Sequence, residues 1–175
     1  MTAAPDPGGA RKEARGARAL GAACRASALF GGAVLLAVCA VTLASVGGRA
    51  LFGTPVLGDF ELVEMGCAVA VFAFLPWCQW RGGNPAVHLF TDRAPRRLRR
   101  VLEAAGHGAL ALVAALIVWR LVLGGMELRQ YGELTMVLRL PLWWGYVPAA
   151  AALGLLALAG AHAAWRSLIE RDAGG

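Results

Sequence analysis

Residues 58–77 read GDFELVEMGCAVAVFAFLPW. Three carboxylates, Asp59, Glu61 and Glu64, stand immediately before an uncharged run from Met65 to Trp80. The run has no polar alternation of the kind that marks a half-buried strand, and no polar stripe at helical spacing. An apolar segment of this kind keeps its backbone paired in lipid by forming a helix, because a helix satisfies its N–H and C=O groups within itself. With the residues around Glu64 at headgroup level, the run is long enough to cross a hydrocarbon core of about 30 Å at about 1.5 Å per residue. The carboxylates then lie at a membrane edge.

The same pattern repeats along the chain. Ala26–Gly48, Ala104–Trp119 and Leu140–Trp165 are also free of Asp, Glu, Lys and Arg. The third run reaches spanning length when Arg120 snorkels its charge outward, carrying the helix to Leu123. The expected fold is an all-α membrane protein of four transmembrane helices, at about 26–46, 60–80, 101–123 and 142–165. A soluble core is a poor alternative for a chain that is 58% hydrophobic and whose helices lack polar faces. The first run is too long, and begins too far from Met1, for a usual signal-peptide apolar region, so a retained anchor is expected.

The formal net charge of +6 does not point to nucleic acid, because the basic residues sit between the apolar runs. Arg11, Lys12, Arg15, Arg18 and Arg25 precede the first run. Arg81, Arg93, Arg96, Arg97, Arg99 and Arg100 lie between the second and third, and Arg166 and Arg171 follow the fourth. The opposite side holds only Arg49, Arg120, Arg129 and Arg139. By the positive-inside rule both termini are expected in the cytoplasm. Residues 1–25, rich in Ala, Gly, Pro and Arg, are expected to be a disordered basic tail, and 166–175 a second cytoplasmic tail. Cys24, Cys39, Cys67 and Cys78 form no CxxC pair and read as small packing residues.

Turn signals at Gly53, Pro55 and Gly58 mark the first exterior loop. Pro76 is expected to kink the second helix in its last turn. The cytoplasmic loop, residues 79–100, breaks at Gly82, Gly83 and Pro85, and its arginines suit anionic headgroups of the membrane lipids. The second exterior segment is read as Gly124–Tyr146. It ends in Trp143, Trp144 and Tyr146, an aromatic belt, which Trp77 and Trp80 match at the other face.

Asp59 reads as an N-cap and Glu61 as a first-turn carboxylate at the positive end of the helix. Glu61 and Glu64, three apart, share a face. Helix-start chemistry is the leading reading. Next comes an interface in which Glu64 pairs with a group of a partner, or with Arg129 or Arg139. A proton or sodium path ranks last, since ion coupling needs a charge deep in the span. His107 and His162 sit at the cytoplasmic ends of the third and fourth spans, so haem ligation is a rival reading; Glu103 is a ready partner for His107. No zinc-ligand spacing, phosphate loop or catalytic triad occurs in a credible context, and neither an enzyme nor a cofactor is expected.

The order of motifs carries a resemblance. "GTPVLGDFELVE" leads into the second span, which ends in "FLPWCQWRGGN" followed by "AVHLF", and "LRLPLWWGYVP" opens the fourth. Over roughly Ser27–Gly160 the chain resembles the small, DctQ-type membrane subunit of the tripartite ATP-independent periplasmic (TRAP) transporters. That resemblance implies a bacterial inner-membrane scaffold for a large permease, which imports a carboxylate-type solute on an ion gradient with a periplasmic solute-binding protein. Many members carry Gly-Gly-His, then a hydrophobic residue and Val-Asp, after the second span; here the loop motif is Gly82, Gly83, Asn84 and His88, with Asn84 and His88 at the His and Asp positions. Asp59, Glu61, Glu64, Arg129, Trp143 and Trp144 are the residues expected at a partner interface. A membrane scaffold unrelated to transport is the remaining rival.

Overall fold

The computed structural model describes the backbone at residues 7–54, 57–82 and 96–169. Four helices follow in chain order: α1 Pro7–Phe52, α2 Asp59–Trp80, α3 Arg96–Tyr131 and α4 Trp143–Ile169. Each contains a stretch long and apolar enough to cross a membrane. The α1–α2 and α3–α4 turns lie at one end of the molecule, the hairpin end. The described parts of α1 begin, and those of α4 finish, at the other, the termini end.

The helices stand in an open row, α1–α2–α4–α3. α2 packs on α1 and α4, α4 packs on α3, α1 touches α4 only lightly, and α2 and α3 do not approach each other at backbone level. Small residues set the seams. A Cβ added at Gly31 would come 2.9 Å from Ala73 Cβ, and one at Gly66 would run into Val38. Ser27 Oγ donates to the Ala73 carbonyl at 2.9 Å, which ties the α1–α2 seam in mid-helix. On the other side, a Cβ at Gly160 would meet Ala111 Cβ at 3.2 Å. Helices with glycine and alanine on facing sides approach closely without any hydrophobic driving force from water.

α4 is the central helix. Ala149, Ala152, Leu153, Leu156 and Ala159 are all buried, and Leu153 and Leu156 form the core with Ala114 of α3, covered by Phe72 of α2. The flanking helices turn large apolar side chains outward, among them Leu36 and Leu43 of α1 and Leu112 and Trp119 of α3. Such faces belong against lipid or another protein rather than water.

Two expectations change. The tail expected to be disordered to residue 25 is helical from Pro7. Its alanines and arginines are good helix formers, and a helix already nucleated in the apolar run propagates into them at little cost. Gly21 lies against Trp80, the last residue of α2, so Pro7–Leu20 extends about 20 Å beyond α2. Second, Gly124 and Gly125 do not end α3, which runs on to Tyr131. Their missing side chains admit the Tyr146 ring, whose Cβ would be 3.3 Å from a Cβ at Gly125. The segment between α3 and α4 is therefore 132–142 and not Gly124–Tyr146. Pro76 is fully buried inside α2, within its last turns, and the helix runs on to Trp80.

Candidate partner interface

At the hairpin end the carboxylates are divided between two tasks. The cap position of α2 is taken by Gly58, in the left-handed region at φ 81°, and Asp59 is the first helical residue. This corrects the reading of Asp59 as an N-cap. A left-handed entry suits glycine, which lacks the Cβ that would crowd the turn, and the Leu138 side chain packs into the space a Cβ would fill. Asp59 Oδ1 accepts from the Phe60 N–H at 2.8 Å, and Oδ2 accepts from the Ser45 hydroxyl of α1. Ser45 is 1% exposed, so its hydroxyl is satisfied inside the chain.

Glu61 reaches forward to the α3–α4 loop. Its two oxygens accept from the backbone N–H groups of Val137 at 2.7 Å and Leu138 at 3.0 Å. The loop presents those N–H groups because it is folded as a small hairpin. Leu134 and Pro141 form an antiparallel bridge, the Thr135 N–H donates to the Leu140 carbonyl at 2.9 Å, and the Leu140 N–H donates to Thr135 Oγ1 at 3.0 Å. Arg139 turns the chain at φ 51°, in the region open to few non-glycine residues. Glu61 thus fixes the loop on the first turn of α2.

Glu64, one turn deeper, is exposed and lines a cleft of about 1210 Å³ between α2 and α3, with α4 as its floor. Arg120 lines the opposite wall. Neither makes a hydrogen bond or ion pair among the described residues. Glu64 does not pair with Arg129 or Arg139 here. Arg129 instead stands over the Trp143 ring at 5.4 Å, and Trp143 meets Trp144 edge-on at 6.3 Å. A guanidinium held at the centre of a lipid-facing helix costs about 2.5–3.5 kcal/mol on insertion scales, so such a residue faces a protein interior or a cavity. Arg120 does the latter.

A second polar cluster joins three helices at the termini end. Gln79, 7% exposed in α2, holds His107 Nδ1 of α3 at 2.8 Å. Trp80 stacks on His162 of α4 with ring centroids 5.7 Å apart. Trp77 carries Arg81 over its ring. The two histidines are thus engaged by Gln79 and Trp80. The Glu103 side chain, expected beside His107, lies outside the described residues. In the loop motif Gly82 closes α2 at φ 71°, whereas Gly83, Asn84 and His88 lie outside the described residues.

The structure therefore brings Asp59 and Glu61 into intramolecular bonds, sets Arg129, Trp143 and Trp144 together on the α3–α4 corner, and leaves Glu64 open. Sequence reasoning missed Ser45, Gln79 and the position of Arg120 on the cleft. Gln79 and Arg120 had a signal: each is a lone strongly polar group close to the end of an apolar run.

Residues 38–170 match the family described as tripartite ATP-independent periplasmic transporters, DctQ component. The match takes in the end of α1 and all of α2, α3 and α4. No curated protein and no solved structure shows a match.

Proposed function

The chain belongs to the DctQ family of tripartite ATP-independent periplasmic transporters, and on that premise we propose that it is the small scaffold subunit of such a transporter. It supports a large permease that imports a carboxylate-type solute using an ion gradient and a periplasmic solute-binding protein. The family match over residues 38–170 is the observation that carries this reading. The family is one of transporter components rather than enzymes.

The architecture suits a support. One central helix is packed, and the flanking helices offer apolar faces that their own neighbours leave uncovered. Packed small-residue seams make the row stiff, and a stiff row can hold the fixed part of a permease while another part moves. The split of basic residues favours an inner-membrane topology with both termini in the cytoplasm. The hairpin end, with Asp59, Glu61, Arg129, Trp143 and Trp144, then faces the periplasm, where the binding protein docks.

The test is purification of the tagged chain from its native membranes in mild detergent, with mass spectrometry of what accompanies it. A large multi-span permease in stoichiometric amount is expected. A chain that emerges alone, or with haem absorption, overturns the reading.

A further inference from the structure

We propose that the cleft between α2 and α3 seats one transmembrane helix of the partner permease, which presents a carboxylate to Arg120 and a cation or hydrogen-bond donor to Glu64. This rests on the scaffold reading above and names the surface that reading leaves open.

The shape comes from the helix order. α2 and α3 both lean on α4 without their backbones meeting, so their facing sides form the walls of a trough. Ala68 and Phe72 of α2 face Leu116 and Ile117 of α3, and Gly145 and Ala149 of α4 form the floor. A small-residue floor lets another helix backbone come close. At the hairpin end the trough is bordered by Glu133–Met136 of the α3–α4 loop, and its lining continues along the helices to Phe72, Val113 and Ala149. The lining residues follow α2 from Glu61 to Phe72 and α3 from Val113 to Gly124, so the trough runs along the helices.

Charge decides the occupant. Gly125 lies level with Tyr146 and Gly145 lies level with Met65. Counting along the helices, Glu64 is near the Trp143–Trp144 belt, whereas Arg120 is about 10 Å further inward. That depth falls inside the hydrocarbon, whose half-thickness is about 15 Å. A phospholipid phosphate sits outside the aromatic belt, so a lipid filling the trough would meet Arg120 only where the guanidinium is drawn outward along its acyl chains. A protein helix can carry a carboxylate at any depth. Intramembrane charges pair with one another across helices, and Glu64 and Arg120 both await such a partner among the described residues.

The experiment places a photo-crosslinking amino acid at Ala68 or Ile117, both on the cleft walls, in the full chain co-expressed with its permease in native membranes. The control position is Leu36, 74% exposed on α1. Both cleft positions are expected to crosslink to a single permease helix, with Leu36 giving roughly tenfold less product, in line with the sharp localisation of interface energy. R120E is expected to lower co-purified permease about tenfold, and R120K to retain most of it. Because R120E alone could fail to insert, the crosslinks are read in the chain that keeps Arg120.

Permease that co-purifies but crosslinks from Leu36 and not from the cleft overturns the inference and leaves the scaffold reading standing. So do cleft crosslinks confined to phospholipid or to a second copy of this chain. Absence of the permease from the unsubstituted preparation overturns the scaffold reading, and the inference with it.

Discussion

The α1–α2 seam and the α2–α3 cleft are built from the same helix, α2, and from much the same residue types, yet one is filled and the other open. On the seam side, Gly66 of α2 is covered by Val38 of α1, Gly31 of α1 is covered by Ala70 and Ala73 of α2, and Ser45, near the hairpin end of the seam, is bonded to Asp59. On the cleft side, Glu64 stands one turn below Glu61 with no bond among the described residues, and the wall opposite carries Arg120 in the same state. The difference teaches that α2 has an inward face that completes this chain and an outward face that this chain alone does not complete. Substitutions on the seam should therefore act on the isolated subunit, and substitutions in the cleft on its assembly.

The largest effect is expected at Gly66. Leucine there would be driven into Val38 in a seam that has no room to yield, and overpacking of a tight contact costs about 3 kcal/mol at the upper end. Thermal unfolding of the purified subunit in detergent should show a clear fall in midpoint for G66L. An unchanged midpoint would mean that α1 and α2 are not packed as described. Ser45→Ala comes next. It removes the donor to Asp59 and leaves that carboxylate short of a partner, at a cost of about 2 kcal/mol for a hydrogen bond to a charged group. The same unfolding assay reads it, and D59N should lose less than S45A if the amide still accepts from the hydroxyl.

These two sites show why part of the molecule was legible in sequence and part was not. The four helices follow from apolar length alone, which any window of about 20 residues reports. The row order does not, because glycine and alanine occur on every face of these helices and mark no side as the seam. Asp59 reads as a cap because acidic residues before an apolar run usually are one. The left-handed Gly58 displaces it by one position, and its true partner, Ser45, lies on the preceding helix. Glu61 is harder still. Its acceptors' partners are backbone N–H groups in a loop some 76 residues away, and backbone groups leave no trace in residue identity. Arg120 was readable as a charge that needs somewhere to go, but its place on a shared cleft depends on the row order.

The Gln79–His107 bond sharpens the comparison at the termini end. It is a neutral hydrogen bond at a buried residue, worth about 1 kcal/mol. Gln79→Leu should lower the midpoint by less than Ser45→Ala does. Because the bond links the two cleft walls, it should also raise amide exchange in the first turns of α3 relative to those of α4. Equal exchange in both helices would show that α3 is held by α4 alone.

The smallest effect on the isolated subunit is expected at Glu64, and this is the most discriminating case. The side chain is exposed, and it bonds to nothing among the described residues. Glu64→Gln keeps its shape and removes its charge, so the unfolding midpoint should move by no more than about 0.5 kcal/mol equivalent. Glu61→Gln, one turn away, weakens two bonds to the α3–α4 loop and should speed amide exchange at Val137 and Leu138 in that same isolated subunit. If E64Q leaves both the midpoint and loop exchange unchanged but lowers the yield of permease on purification, the two carboxylates serve different molecules. If E64Q instead destabilises the subunit as E61Q does, Glu64 belongs to the fold of this chain, and α2 has no outward face of the kind described.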